Sequence, residues 1–343
     1  MIWRFILRRM AIFVLQLAGI TVAVFVVIRL LPADPAAHLV GLNATAESYA
    51  QARHTLGLDR SMLQQLGDFV GIAATDGKPG LLQGNLGQSW VSSQNVWGEI
   101  AQALPVTLEI VTYALLISFA IALPMGLASA RRPGGVADRI SVVWGLFAGA
   151  QPDYWWGLLF VFVLFFKLGW VPPPMGRFDP LMTPPPTITG FITIDSLLAG
   201  DLEAFSTALS YIALPILTLV FAVSGAILKM VRTNTVRALR SDYVLYARAS
   251  GLPERVVARY ALRAALTPAV TLVGIFYGVL LSSAVTVEVV FSLTGIGQYA
   301  VRSVLAFDYP AIQGTVLVVA MVSLLIYLLL DIAHAYLDPR IRA

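Results

Sequence analysis

Between Arg9 and Arg29 the chain runs for 19 residues, Met10 to Ile28, without a single charge. Backbone placed in hydrocarbon must satisfy its N–H and C=O groups internally, so such a run folds as a helix. Five further apolar runs of about 20 residues follow, the length that crosses a bilayer. The six are placed at 9–31, 104–130, 139–168, 207–231, 268–290 and 313–336. The second is read as starting at Leu104-Pro105, because proline suits a first helical turn. The third is long and broken near Pro152. Composition agrees: 58% of residues are hydrophobic and 12% are charged, about half the charged share of a soluble domain. The fold class expected is all-α and integral to the membrane, with six transmembrane helices.

Arg4, Arg8 and Arg9 before an apolar run look at first like a secretory signal. The run is too long for that, and Arg29-Leu30-Leu31-Pro32 is a poor cleavage context, so it is read as a retained first helix. Basic residues test the span count. With the N-terminus in the cytoplasm, 16 of the 23 Lys and Arg residues fall inside. They are Arg4, Arg8, Arg9, Arg131, Arg132, Arg139, Lys229, Arg232, Arg237, Arg240, Arg248, Arg255, Arg259, Arg263, Arg340 and Arg342. Outside lie Arg53, Arg60, Lys78, Lys167, Arg177 and Arg302, with Arg29 at the outer end of the first span. This asymmetry favours six spans with both termini cytoplasmic. The organisation expected is a first helix in 1–31, an extracytoplasmic cap loop in 32–103, and a core in 104–343 with five helices and a cytoplasmic segment at 232–267. The outer segment 169–206 carries Pro172-Pro173-Pro174 and Pro184-Pro185-Pro186, which favour stiff, extended backbone. No internal repeat supports an inverted-repeat transporter.

Several chemistries find no footing. Gly295-Ile296-Gly297-Gln298-Tyr299-Ala300 has the form GxGxxA, but a dinucleotide site needs a strand before it, and the match lies between two spans; it is read as a tight turn. There is no P-loop string to cradle ATP phosphates, so energy must come from another chain or an ion gradient. His38, His54 and His334 are scattered without metal-like spacing, so no metal site is expected, and cysteine is absent. No serine stands in a nucleophile-elbow context. No catalytic residue and no nucleic-acid partner is expected; the chain is not read as an enzyme.

A charge at mid-bilayer costs roughly 2.5–3.5 kcal/mol on insertion scales, so intramembrane acids face protein or water. Asp153 is the deepest, beside Gln151, Pro152 and Tyr154 in the broken third span. Two readings stand: a lining of the translocation path by Gln151, Asp153 and Tyr154, with Glu288 a further candidate, or a structural helix break. Interfacial solvation or subunit contact is expected for Glu109, Glu288 and Asp331. Tyr154, Trp155 and Trp156 are read as packing filler over a path-lining cluster.

The segment 232–267 is basic and helix-friendly, with Arg255, Arg259 and Arg263 on one helical face. Gly251-Leu252-Pro253 separates two helical stretches. On the residues alone, a headgroup-bound helix and a docking element for a cytoplasmic partner both stand. The stretch Asp242-Tyr243-Val244-Leu245-Tyr246-Ala247-Arg248-Ala249-Ser250-Gly251-Leu252 resembles the cytoplasmic loop of binding-protein-dependent ABC permeases of the dipeptide/oligopeptide class. The superfamily pattern has Glu-Ala-Ala where this chain has Leu245-Tyr246-Ala247. Gly84-Asn85-Leu86-Gly87-Gln88-Ser89 resembles the family's outer-loop signature, with Asn85 in place of Asp. Leu104-Pro105-Val106-Thr107-Leu108-Glu109, Leu168-Gly169-Trp170-Val171-Pro172, Val287-Glu288-Val289-Val290-Phe291, Gly295-Ile296-Gly297 (after Thr294, where the family has Pro), Asp308-Tyr309-Pro310 and Asp338-Pro339-Arg340-Ile341-Arg342 continue the likeness in order along the chain.

The resemblance implies a type I ABC importer permease, located in the bacterial inner membrane as a multi-pass subunit. A second homologous permease, two cytoplasmic ATPase subunits and an extracytoplasmic substrate-binding protein would be its partners, with membrane lipid around it. The chain itself would bind no cofactor; ATP and Mg would sit on the ATPases. A coupling helix near 247–258 would dock on them, involving Asp242, Tyr243, Ala247, Arg248, Ala249, Gly251, Leu252, Glu254 and Arg255. Peptides are the substrate class implied, with nickel, glutathione or sugar the alternatives within the family. An ion-coupled secondary transporter and a non-transporting scaffold are the rivals outside it.

Overall fold

The computed structural model describes residues 2–30, 34–41, 44–72, 79–149 and 151–337. Leu31, Pro32, Lys78, the stretch Asp338-Pro339-Arg340-Ile341-Arg342 and the side chain of Arg263 lie outside the described residues. The described chain is helical: α1 (Ile2–Leu30), α2 (Pro35–Val40), α3 (Ala46–Thr55), α4 (Met62–Val70), α5 (Val96–Arg131), α6 (Val136–Ala148), α7 (Asp153–Phe160), α8 (Ile192–Leu198), α9 (Leu202–Leu239), α10 (Asp242–Ala249), α11 (Glu254–Val290), α12 (Ile296–Leu305) and α13 (Tyr309–Leu337).

Five of these, α1, α5, α9, α11 and α13, contain stretches long and apolar enough to cross a membrane. The sixth expected span is met by two pieces. α6 ends at Ala148; α7 starts at Asp153 and continues as wider π turns over Val161–Lys167. The 13 residues of α6 rise about 20 Å, short of a hydrocarbon core of ~30 Å. Pro152 explains the break. It disfavours helical backbone at Gln151 and has no N–H for a preceding turn. It stands just before α7 as the N-cap, where the missing donor goes unneeded.

The remaining spans run past their apolar runs. α5 begins at Val96, so Pro105 lies inside the helix and not in its first turn. The reason is Asn95, whose side chain accepts the N–H of Trp97 at 2.9 Å and of Gly98 at 3.4 Å as an N-cap. Asp201 does the same for α9, accepting from the Ala204 N–H at 2.8 Å. The expected turn at Gly295 also shifts. Gly295 leads directly into α12 with extended backbone, and the left-handed residue is Ser292, φ 53.

Contacts divide the chain into two compact units. In the first, residues 105–294 with α13 from Leu329, α9 packs against α6, α7, α8 and α11. Ile212, Leu219, Ile227, Leu280 and Val287 are fully buried there. Lipid tails are as apolar as these side chains, so helix association in a membrane depends on close fit at small residues. The fit is visible at two glycines. A Cβ at Gly126 would lie 2.6 Å from Val231, and one at Gly225 would lie 3.2 Å from the Cβ of Ala148. Trp156 is buried and meets Phe147, Phe160 and Phe221 at ring distances of 4.8, 5.8 and 4.9 Å; it is packing, whereas Tyr154 and Trp155, expected to pack with it, are exposed.

In the second unit, Trp3–Leu104 with Gly295–Leu328, a smaller core gathers Leu86, Val96, Ile100, Ile296, Ala311 and Val318. Two of the distant motifs meet in this unit. The buried carboxylate of Asp308 accepts the Ser89 hydroxyl at 2.5 Å and the Trp90 N–H at 3.1 Å. Asn85 accepts the N–H of Gly87 at 2.8 Å, the short side-chain-to-backbone turn that Asn and Asp both make. Asn85 therefore makes the same local turn that an Asp at this position would make.

Candidate functional site

Three groups of polar and exposed residues merit functional reading. The first lies in 232–267. α9 ends at Leu239, α10 follows, and the chain reverses into α11. The reversal is built from two bonds, Leu252 N–H to Ala247 O at 3.2 Å and Gly251 N–H to Arg248 O at 2.9 Å, with Gly251 at φ 75. This is the glycine-terminated helix end in which the left-handed residue releases the last carbonyls to new donors. Pro253 then opens α11. The expectation of one short helix near 247–258 is thus corrected. The short helix is α10, and 247–258 holds its last turn, the Gly251 reversal and the first turn of α11. A left-handed glycine followed two residues later by proline cannot continue a helix.

The segment carries its own small core of Ala238, Val244, Ala247 and Val257. Arg248 Nε reaches Glu254 Oε1 at 3.0 Å across the reversal. Of the residues expected to couple, Asp242, Tyr243, Arg248, Ala249, Gly251, Leu252, Glu254 and Arg255 are exposed, whereas Ala247 is buried in the core. Leu245 and Tyr246 join the exposed set, Tyr246 at 75%. They were not singled out from the sequence, because an apolar residue on a short helix gives no sign of which face is covered. The result is a braced helix presenting Tyr243, Leu245, Tyr246 and Leu252 outward. Single exposed apolar residues are ordinary; a cluster of aromatic and aliphatic ones marks an interaction surface.

The second group is the break in the third span. Gln151 and Tyr154 are exposed and Asp153 is half-buried at the start of α7, where a carboxylate complements the helix dipole. Glu288 does not join them on an open surface. It is fully buried within this chain and accepts the Thr107 hydroxyl at 2.5 Å. Interfacial solvation is likewise overturned for Glu288 and Glu109, both at zero exposure; Asp331 is half-buried.

Glu109 heads the third group. Its carboxylate accepts the N–H of Ile192 at 3.2 Å and of Thr193 at 3.0 Å, and the Thr193 hydroxyl at 2.6 Å. Arg177 Nη1 stands 3.4 Å away and donates to Gly190 O at 2.7 Å. Tyr113 hydrogen-bonds the Thr193 hydroxyl at 2.7 Å. Asp195 completes the loop. Burial alone would raise its carboxyl, but the Thr189 and Gly190 donors outweigh that and hold it below the usual carboxylate range. The Pro-rich stretch before α8 is therefore anchored by two buried carboxylates. Gly190 sits between them at φ 81, and a Cβ there would lie 2.7 Å from the Pro105 ring. Gly190→Ala is expected to destabilise the solubilised protein by about 1–3 kcal/mol for the left-handed backbone alone, read as a lowered unfolding midpoint in detergent.

Two models of one family match this sequence. The model described as binding-protein-dependent transport system inner membrane component covers residues 122–343, and its N-terminal counterpart covers residues 1–111. The chain belongs to the binding-protein-dependent transport system inner membrane components. The di/tripeptide transport system permease protein DppB of Pseudomonas aeruginosa is 36% identical over 98% of this chain and 98% of its own length. The dipeptide transport system permease protein DppB of Escherichia coli K12 is 32% identical over 99% of this chain and 98% of its own. This inner membrane component is accordingly a multi-pass permease subunit of a bacterial ABC importer, a transporter part and not an enzyme, and it works in a complex with other subunits.

Proposed function

We propose that this permease serves an importer of di- and oligopeptides and forms half of the path with a second homologous permease. Two cytoplasmic ATPases, which would hold ATP and Mg, dock on α10 and the Gly251 reversal. A substrate-binding protein delivers cargo at the opposite face, where residues 32–103 form a cap. Both termini are cytoplasmic, and lipid surrounds the outward apolar faces. The observation that carries the docking reading is the braced, outward cluster Tyr243, Leu245, Tyr246 and Leu252. Aromatic residues of this kind are the usual anchors of a protein interface. The peptide class rests on likeness to the two peptide permeases. Exposed Gln151 and Tyr154 and half-buried Asp153 remain the path candidates.

The cysteine-free sequence makes a topological test clean. Tyr246→Cys and Leu181→Cys, both at exposed positions, should react with an impermeant maleimide from opposite sides of the membrane. A bifunctional reagent at Tyr246→Cys should capture an ATPase subunit in the intact complex. Labelling of both from one side, or no ATPase adduct from position 246, contradicts the reading. Replacing Tyr246 by Ala should weaken ATPase association about tenfold or more, the loss typical of a truncated aromatic anchor, measured by co-purification at graded concentrations.

A further inference from the structure

Asp138 is an acid with no task in the function just described, and it is buried at the start of α6. Its Oδ1 accepts Arg232 Nε at 2.6 Å and the Ser129 hydroxyl at 2.6 Å, and its Oδ2 accepts the Gly134 N–H at 2.8 Å. Arg232 Nε also lies 3.0 Å from the Ser129 hydroxyl. Arg232, then the Gly134 N–H and the Ser129 hydroxyl, hold the carboxyl far below the usual carboxylate range. The stabilisation is complete above the ordinary carboxylate pKa and is lost only as pH falls through the lowered folded value. The clasp is therefore ionised at any pH at which transport is assayed. It joins three elements: the end of α5, the start of α6, and α9 seven residues before its last residue, Leu239.

The same two helices are joined again further along. Trp144 Nε1 donates to Ser224 Oγ at 3.0 Å, and its ring meets Phe221 at 4.7 Å. Gly225 approaches Gly145 and Ala148 closely enough that a Cβ there would lie 3.3 Å from the Gly145 Cα. From the Ala148 end, Phe147 meets Trp156 of α7, and Trp156 meets Phe221 of α9. α6 is thus fixed to α9 at both of its ends, and the start of α7 beyond the Pro152 break is held to the same helix.

We infer that Asp138 and Arg232 form a clasp that makes α6 travel with α9 when the segment carrying α10 is displaced, so that the displacement reaches the break at Gln151–Pro152. This rests on the coupling reading proposed above. In it Asp138 and Arg232 are positioning residues that act through α6 and touch neither cargo nor ATPase. A helix tied to α9 only by apolar contacts could slide along it; an ion pair between buried Asp138 and half-buried Arg232, with two further hydrogen bonds on the carboxylate, has one geometry and resists sliding.

The test uses the whole complex, with its binding protein, in liposomes, and reads labelled peptide taken up per ATP hydrolysed. Asp138→Asn should lower that ratio about tenfold, the scale of one lost charge-assisted hydrogen bond, while binding-protein-stimulated hydrolysis stays within about twofold of the unaltered complex. Arg232→Lys, which keeps the charge but loses the forked geometry, should fall between. A second arm locks the helices. Ala148→Cys with Gly225→Cys places Cβ atoms 3.2 Å apart, a few tenths of an ångström under the 3.5 Å or so at which a disulfide forms. If α6 and α9 move as one body, oxidised and reduced forms transport equally.

An unchanged uptake-to-hydrolysis ratio in Asp138→Asn overturns the inference, as does transport lost on oxidation and regained on reduction. Equal loss of uptake and hydrolysis in Asp138→Asn also overturns it, since that is the mark of a mere structural staple. If the cysteine pair does not assemble, the Asp138→Asn ratio decides alone. Failure of the underlying coupling reading looks different: the unaltered complex itself shows no ATP-dependent uptake.

Discussion

Gly251→Pro is expected to reduce ATP-driven uptake by about 100-fold while the complex still assembles, the effect of roughly 3 kcal/mol at one backbone position. Two causes add. Proline holds φ near −65°, whereas Gly251 stands at φ 75. Proline also has no N–H for the bond to Arg248 O at 2.9 Å. Both losses fall on the reversal that fixes how α10 stands between α9 and α11, and the Arg248–Glu254 pair across it loses its geometry with them. The spans themselves lie outside this turn, so membrane insertion should be unaffected. Gly251→Asn is the informative companion. Asparagine tolerates the left-handed conformation and keeps the N–H, so its uptake should stay near that of the unaltered protein. If Pro and Asn at 251 behave alike, the reversal does not carry coupling.

The second large effect is expected at Glu109. Glu109→Ala removes a fully buried carboxylate, leaves the Ile192 and Thr193 N–H groups without their acceptor, and deprives Arg177 of its charge partner while its bond to Gly190 O remains. Each orphaned buried N–H costs about 1–3 kcal/mol, and the lost partner of half-buried Arg177 adds to it. The measurement is the thermal unfolding midpoint of the solubilised complex, together with protease access to the Pro-rich stretch 169–191. The stretch should open while the core of α9 and α11 remains protected, because Glu109 holds the loop and the apolar contacts of Ile212, Leu219 and Leu280 hold the helices. An unchanged midpoint would remove Glu109 from the anchoring role.

The residues differ in how far the sequence alone exposes these roles. The membrane-crossing helices are legible because hydrocarbon admits few alternatives, and uncharged runs such as Met10–Ile28 leave no other fold. The Pro152 break and the Gly251 reversal are legible for a local reason: each depends on a residue whose backbone is restricted or freed in itself. Helix ends are less so. The apolar run of the second span begins at Leu104-Pro105, whereas Asn95 caps the helix nine residues before Leu104. The short helix near Gly251 was misplaced by several residues because glycine marks where a helix stops and not how far back it reaches.

The buried acids were the least legible. Glu109 and Glu288 look interfacial by position, yet their partners Thr193 and Thr107 stand 84 and 181 residues away. Asp138 likewise meets Arg232 at a separation of 94. A burial that depends on a partner so distant leaves no periodic trace in the chain. Tyr246 is the complementary case, an apolar residue left uncovered because its neighbours Val244 and Ala247 take the inward face of α10.

On the reading proposed above, this permease moves solute only as part of an ATP-driven complex engaged through α10. This is tested most directly in liposomes holding this chain alone or the chain with its second permease, both ATPases and the binding protein. Labelled dipeptide is added outside, with ATP or a proton gradient as the energy source. Uptake is expected only in the full complex and only with internal ATP, and is expected to be lost in Gly251→Pro. Dipeptide accumulation by this chain alone on a proton gradient, without ATP, would contradict it.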